Sequence, residues 1–180
     1  LGARFDTQSI DIATDARNAD HNGFSASAGA SYALNESASL TFGLDRAARL
    51  PTAEELYSDG PHAATASYEI GDESLDEEIS NQAEIGLRWR SDKLKASINA
   101  FQAQFDNFIY LIDTGAIEDD LPVRQWTQAD TRFTGFEIEG VWHMAETAVG
   151  HFDLQAFGDR VHARLDAGDD LPRIPQSRIG

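Results

Sequence analysis

The chain of 180 residues sets 14 Lys and Arg against 31 Asp and Glu for a formal charge of −17, which turns it away from nucleic acid and anionic lipid headgroups and toward cations, although solubility alone asks for the same acidity. It has no cysteine, so disulfides, thiolate metal centres and thiol redox chemistry are excluded. No apolar run approaches the roughly 18 residues of a membrane-spanning helix, the longest being Phe108-Ile109-Tyr110-Leu111-Ile112, whereas strands that cross with about 9 to 11 residues are left open.

Residues 3–13 read as a weak strand, because Ile10 and Ile12 share a parity that Phe5 does not. Over 23–33 the alternation is clear: Phe24, Ala26, Ala28, Ala30 and Tyr32 oppose Ser25, Ser27, Gly29 and Ser31, the period of a strand with one apolar and one wet side. Asn35-Glu36-Ser37 is a short turn, and over 38–46 Leu40, Phe42 and Leu44 oppose Ser39, Thr41 and Asp45. Residues 48–77 follow, about thirty residues that join two alternating segments and exceed what a compact hairpin needs, which marks a loop with a function. Within it Thr52-x-x-Glu55 is a capping box and predicts one helical turn.

The clearest strand is 78–90, where Ala83, Ile85, Leu87 and Trp89 oppose Gln82, Glu84, Gly86 and Arg88. After a short turn at Ser91-Asp92, segment 93–112 keeps Leu94, Ala96, Ile98 and Ala100 on one parity and then places Phe101, Ala103 and Phe105 on the other. A β-bulge near Ala100, or a strand that has left the bilayer by that point, accounts for the switch. A longer connection at 113–121 leads to 122–142, where Phe136, Ile138 and Trp142 oppose Glu137 and Glu139. A short turn at 143–147 then precedes 150–165, where Phe152, Leu154 and Ala156 oppose Asp153 and Gln155, and a longer connection follows at 165–176.

These segments predict an all-β protein, an antiparallel up-and-down meander of about seven strands. Periodicity alone does not separate a transmembrane barrel wall from a soluble β-sandwich that binds carbohydrate or protein through its loops. Two observations favour the wall: turns alternate short and long, as when short turns share one rim, and Tyr32, Trp89 and Trp142 lie on the apolar parity near short turns, as in a membrane girdle. On that reading Gln82, Glu84, Arg88, Glu137, Glu139 and Asp153 line the pore. No linker divides the chain, so residues 1–180 form one unit.

Candidate chemistry centres on His62. With Asp59 before it and Glu69, Asp72 and Glu73 after it, an imidazole and several carboxylates are available for a cation such as Zn²⁺; a solvated loop histidine is the plainer alternative. His21 sits in an acidic turn, His143 is expected as an interfacial residue in a short turn beside Trp142, and His162 is expected near the outer rim with Asp159 and Asp166; His151 lies on the last strand. The Glu54-Glu55 pair lacks a nucleophile or proton donor at suitable spacing, and neither a His-Glu-x-x-His pattern, a nucleophile elbow, a P-loop nor a dinucleotide fingerprint occurs, so no enzyme is expected.

The residues Arg49-Leu50-Pro51-Thr52-x-Glu54-Glu55-Leu56-Tyr57, Gly60-Pro61-His62-Ala63-Ala64-Thr65, Tyr68-Glu69-Ile70-Gly71-Asp72 and Leu75-x-x-Glu78-x-Ser80-Asn81-x-x-Glu84-x-Gly86-Leu87 resemble the barrel signature of TonB-dependent outer-membrane receptors. The Gly60 to Thr65 portion is most similar to the branch associated with zinc uptake. The resemblance implies a place in the bacterial outer membrane among its lipids, a barrel of about 22 strands of which this chain is an internal part, and a plug domain and TonB energising complex as partners. It implies no resident cofactor, with Zn²⁺ as a transported ligand. An iron chelate, siderophore or heme, or another small ligand is the alternative within the family, and the soluble β-sandwich the alternative outside it.

Overall fold

The computed structural model describes residues 1–12 and 17–180. Because alternation sorts apolar and polar side chains onto opposite faces, each long segment needs a neighbour in register, and the structure supplies one in a single ten-stranded sheet. The long strands are β1 (Gly2–Ile12), β2 (Arg17–Ala33), β3 (Ala38–Arg49), β6 (Glu78–Arg90), β7 (Leu94–Glu118), β8 (Leu121–Thr147) and β9 (Gly150–Leu165), and consecutive members pair antiparallel. Between β3 and β6 the chain forms a helical turn α1 (Ala53–Tyr57) and a hairpin of β4 (Asp59–His62) with β5 (Ser67–Ile70). A two-residue β10 (Arg178–Ile179) continues the sheet beyond β9.

The seven expected strands are all present, and the differences lie at their ends. The connection expected at 113–121 is strand, since β7 and β8 run on to a hairpin closed by Asp119 and Asp120, with φ of 50° and 62°. Successive positive φ angles match the strand twist, and Asp tolerates them. Likewise the turn expected at 143–147 is strand, and Ala148 and Val149 make the turn. Ala13, the last residue of the first expected strand, and the side chain of Ile12 lie outside the described residues.

Cross-strand register identifies the faces. Phe5 pairs with Phe24, Tyr32 with Leu40, Phe42 with Ile85, Leu87 with Ile98, Ile98 with Ile138 and Trp142 with Leu154. Directly paired residues share a face, so these side chains form one continuous apolar surface. Phe5 therefore belongs to it, and the first strand is regular; Ile10 points the other way and packs near Leu56 and Ile109. From Trp89 to Ala83 the band covers about 20 Å of strand at ~3.4 Å per residue, close to the ~25 Å apolar belt of an outer-membrane barrel.

That surface is uncovered: Ile85 is 49% and Leu87 38% exposed. A sandwich would bury them under a second sheet, and among the described residues every strand belongs to one sheet. The fold is a section of barrel wall.

Of the two causes expected for the parity switch in β7, the bulge is absent, whereas the lipid-side parity of Leu94, Ala96, Ile98 and Ala100 continues as Gln102, Gln104 and Asp106, as it does in a strand that has left the bilayer. Pairing with β6 runs unbroken from Arg90↔Lys95 to Ile79↔Asp106, so no bulge lies near Ala100. Phe101, Ala103 and Phe105 occupy the polar face, whose upper end is itself apolar, and Phe105 meets Phe108 and Phe133 at ring separations of 5.2 and 5.0 Å. The register shift falls between Phe105 and Phe108, where Asn107 has φ 58°. The long loop folds onto the sheet beyond this shift, with Leu56, Leu75 and Ile109 as its core.

Candidate functional site

The loop is held by its own charges. Arg49 and Glu78 are register partners on β3 and β6, and Arg49 donates through Nη2 and Nε to the two oxygens of Glu78 at 3.2 and 3.3 Å. Its Nη1 lies 2.9 Å from both oxygens of Glu55. Glu55 also closes the expected capping box: it accepts from the Thr52 amide at 2.8 Å while its own amide donates to Thr52 Oγ1 at 3.2 Å. Glu78 accepts from the Ile109 amide at 2.9 Å. One guanidinium thus ties α1 to the sheet, and two nearly buried carboxylates gain the charged and backbone donors that burial demands.

Beyond α1 the chain doubles back. Gly71 and Asp72 donate to Ser58 O and Glu55 O at 2.7 and 2.9 Å, and a Cβ on Gly71 would lie 2.6 Å from backbone atoms of Leu56 and Tyr57. Only glycine allows this approach. Strand β5 adds in parallel to β8 at Val123, Arg124 and Gln125, above the point where β9 ceases to pair at Thr131. The hairpin therefore occupies an edge of β8 that would otherwise be free.

This folding brings Glu54, His62 and Glu69 together. His62 Nε2 lies 3.0 Å from Glu54 Oε1, and His62 Nδ1 lies 3.3 Å from Glu69 Oε1. Glu69 is 1% exposed. Its Oε1 accepts from Thr65 Oγ1 at 2.5 Å and from Ser67 Oγ at 3.4 Å, while Oε2 is buried without a hydrogen-bond partner. An orphaned carboxylate oxygen is costly to bury, and a cation beside it would remove that cost. One ligand atom from each of the three residues lies within 4.8 Å of the others. The set, one imidazole and two carboxylates, suits a hard or borderline divalent cation.

Of the residues expected at this site, His62 and Glu69 meet and Asp59 does not join them. Across the β4–β5 hairpin Asp59 pairs with Ile70 and His62 with Ser67, so the two lie about 10 Å apart along an extended strand. Asp59 accepts instead from Tyr68 Oη at 2.9 Å, which pushes the Tyr68 phenol up to about 12. Asp72 caps the local turn, accepting from the Ser74 amide at 2.9 Å. Glu54 was legible only as part of a capped helical turn; its approach to His62 depends on how α1 and the hairpin pack.

Gln82, Glu84, Arg88, Glu137, Glu139 and Asp153 all lie on the face opposite the apolar band, paired respectively with Asp45, Gly43, Ser39, Asn99, Ser97 and His143. Tyr32, Trp89 and Trp142 are exposed on the apolar face at the short-turn end. His143 is not in a turn: it lies in β8 on the polar face, 2.7 Å from Asp153. His162 faces Asp170 at 3.9 Å rather than Asp159, which pairs with Arg178.

A family model described as TonB dependent receptor-like, beta-barrel, matches residues 1–180. Among solved structures the chain is similar to the copper transporter OprC, at 20% identity and a TM-score of 0.82 over 98% of this chain and 28% of that one. It is similar also to the FrpB iron transporter of Neisseria meningitidis, at 15% identity and TM-score 0.63, covering 91% of this chain and 23% of that one. The siderophore receptor PirA of Pseudomonas aeruginosa matches at 19% identity and TM-score 0.53, over 93% of this chain and 35% of that one. The chain thus spans between about a quarter and a third of the length of these proteins.

Proposed function

The chain belongs to the TonB-dependent receptor β-barrel family of the bacterial outer membrane, and from that premise we propose that it supplies wall, lining and a ligand-capturing loop to a transporter of a scarce divalent metal, Zn²⁺ foremost. Its work is transport rather than catalysis. The observation that carries the metal reading is the buried Glu69 carboxylate with one oxygen unpartnered beside His62 and Glu54.

The donor set of one imidazole and two carboxylates speaks against Cu(I) as the cargo and suits a divalent ion. Soft thiolate and thioether ligands select Cu(I), and this chain has no Cys and a single Met. Acidity argues in the same direction. Glu84, Glu137 and Glu139 on the polar face attract cations and oppose anionic iron chelates, which are the alternative cargo. The partners that drive import are a plug domain inside the barrel and a TonB energising complex. Gln82, Glu84, Arg88, Glu137, Glu139 and Asp153 face the plug, while the exposed apolar band faces lipid.

The test is Zn²⁺ titration of the detergent-purified outer-membrane protein and its His62→Ala and Glu69→Gln variants, each with a thermal melt. Both substitutions should weaken binding by tenfold or more, since carboxylates alone replace an imidazole poorly for this metal. His62→Ala should leave the melt of the barrel wall unchanged, because its partners Glu54, Thr65 and Glu69 all lie in the loop. Unaltered Zn²⁺ affinity with tight binding of a ferric chelate would replace the metal-ion reading by the chelate one.

A further inference from the structure

A second cluster of metal-ligating side chains lies at the opposite, short-turn end of the sheet. Strict alternation would put His143 and Glu146 on opposite faces of β8, since they are three residues apart. The register shift between His143 and Ala145 prevents this. His143 pairs with Asp153 and Ala145 with the adjacent Phe152, so Met144 is the extra residue of a β-bulge, and Glu146 returns to the face of His143 opposite His151. Bulges re-aim side chains in this way.

The result is a compact donor set. His143 Nδ1 lies 2.7 Å from Asp153 Oδ1, His151 Nδ1 lies 3.3 Å from Glu146 Oε1, and the two imidazole centroids are 6.0 Å apart. One ligand atom from each of His143, Glu146 and His151 lies within 4.8 Å of the others. Ligands bound to Zn²⁺ at ~2.0–2.1 Å stand roughly 3.3 Å from one another in a tetrahedron, so small rotations of exposed side chains close the remaining gap. Asp153, accepting from Nδ1–H of His143, would leave Nε2 free for a metal, the arrangement by which a carboxylate orients a ligating histidine.

We propose that His143, Glu146 and His151, with Asp153 as positioning residue, form a second divalent-metal site at the short-turn rim of the inner face. Two imidazoles and one carboxylate make a more nitrogen-rich set than that of the outer loop. It selects Zn²⁺ and its transition-metal neighbours over Mg²⁺ and Ca²⁺, which prefer oxygen. The site rests on its own residues; only its role as a stop for a cation leaving the barrel rests on the import reading above.

The experiment is equilibrium dialysis of the detergent-purified protein against Zn²⁺, with wild type, the His143→Ala/His151→Ala pair, Asp153→Asn and His62→Ala. The His pair should lower bound Zn²⁺ by one ion per chain, and Asp153→Asn should weaken that ion's binding by about 10 to 100-fold. A Co²⁺ titration should show visible d–d bands that the His pair removes and excess Mg²⁺ does not compete away. Unchanged Zn²⁺ stoichiometry in the pair, with Asp153→Asn also silent, overturns the proposal. Loss of one ion in the pair with none in His62→Ala would sustain this site and remove the outer one; the converse would do the reverse.

Discussion

Replacing Arg49 by Leu should release the outer loop without unfolding the wall. The guanidinium is the shared partner of Glu55 and Glu78, whose side chains are 9% and 11% exposed. Removing one member of a fully buried ion pair costs about 3 to 5 kcal/mol. Two features lower that figure here. Arg49 is itself 40% exposed, so water screens the interaction, and each carboxylate keeps one backbone donor, Thr52 N for Glu55 and Ile109 N for Glu78. About 2 kcal/mol is the resulting expectation, which raises the open population of the loop roughly 30-fold at ~1.4 kcal/mol per decade. Hydrogen exchange in detergent reads this at the amides of Gly71 and Asp72, which donate to Ser58 and Glu55 and open when α1 leaves the hairpin. Their exchange should accelerate about 30-fold while amides of the β6–β7 ladder are unchanged. Arg49→Lys should fall between, since an ammonium retains charge but cannot present the fork. Acceleration below about threefold at Gly71 and Asp72 would refute the claim that this network holds the loop.

Leu87 and Gln82 test the faces: Leu87→Arg should reduce the folded protein recovered from outer membranes, because a cation at the bilayer midplane costs about 2 to 4 kcal/mol, whereas Gln82→Arg should assemble as wild type. Equal recovery would mean that the faces are exchanged. Gly71→Ala drives a methyl into backbone atoms of Leu56 and Tyr57 at 2.6 Å, while Gly60→Ala meets nothing within 4 Å; protease cleavage within 50–77 should therefore accelerate in the first and not the second, and equal cleavage would count against the close approach at Gly71.

The parity of Ile85 and Leu87 against Gln82 and Glu84 was readable directly, because a face in one strand dictates the face of its neighbour through register. Thr52 and Glu55 were equally readable, since a capping box closes within three residues. What escaped is long-range. Arg49 and Glu78 are 29 positions apart, and no local pattern announces that they meet. Asp59 looked like a better partner for His62 than Glu54 did, because sequence distance ignores that an extended β4 carries Asp59 away while α1 turns Glu54 back. Loss of alternation after Trp142 resembled a turn for a similar reason. A bulge and a turn both break the period of two, and only the partner strand distinguishes them.

The apparent irregularity of β7 carries the broadest lesson about this fold. A barrel wall imposes apolar character on its lipid side alone, so the chemistry of the inner parity is free to change with height. Near mid-wall it includes Glu84, its register partner Phe101, Glu137 and Asn99; above, it includes Ala103, Phe105 and Phe133; at the short-turn rim it is His143, Glu146, His151 and Asp153. Beyond the upper level Leu56 and Leu75 of the loop pack with Ile109 of β7, and that fold carries Glu54 to His62 and Glu69. In the proposed metal site the burial of Glu69 depends on where the β4–β5 hairpin sits, and β5 is seated by its parallel pairing with Val123, Arg124 and Gln125 of β8, so that edge of β8 matters to the proposal as much as the donors themselves.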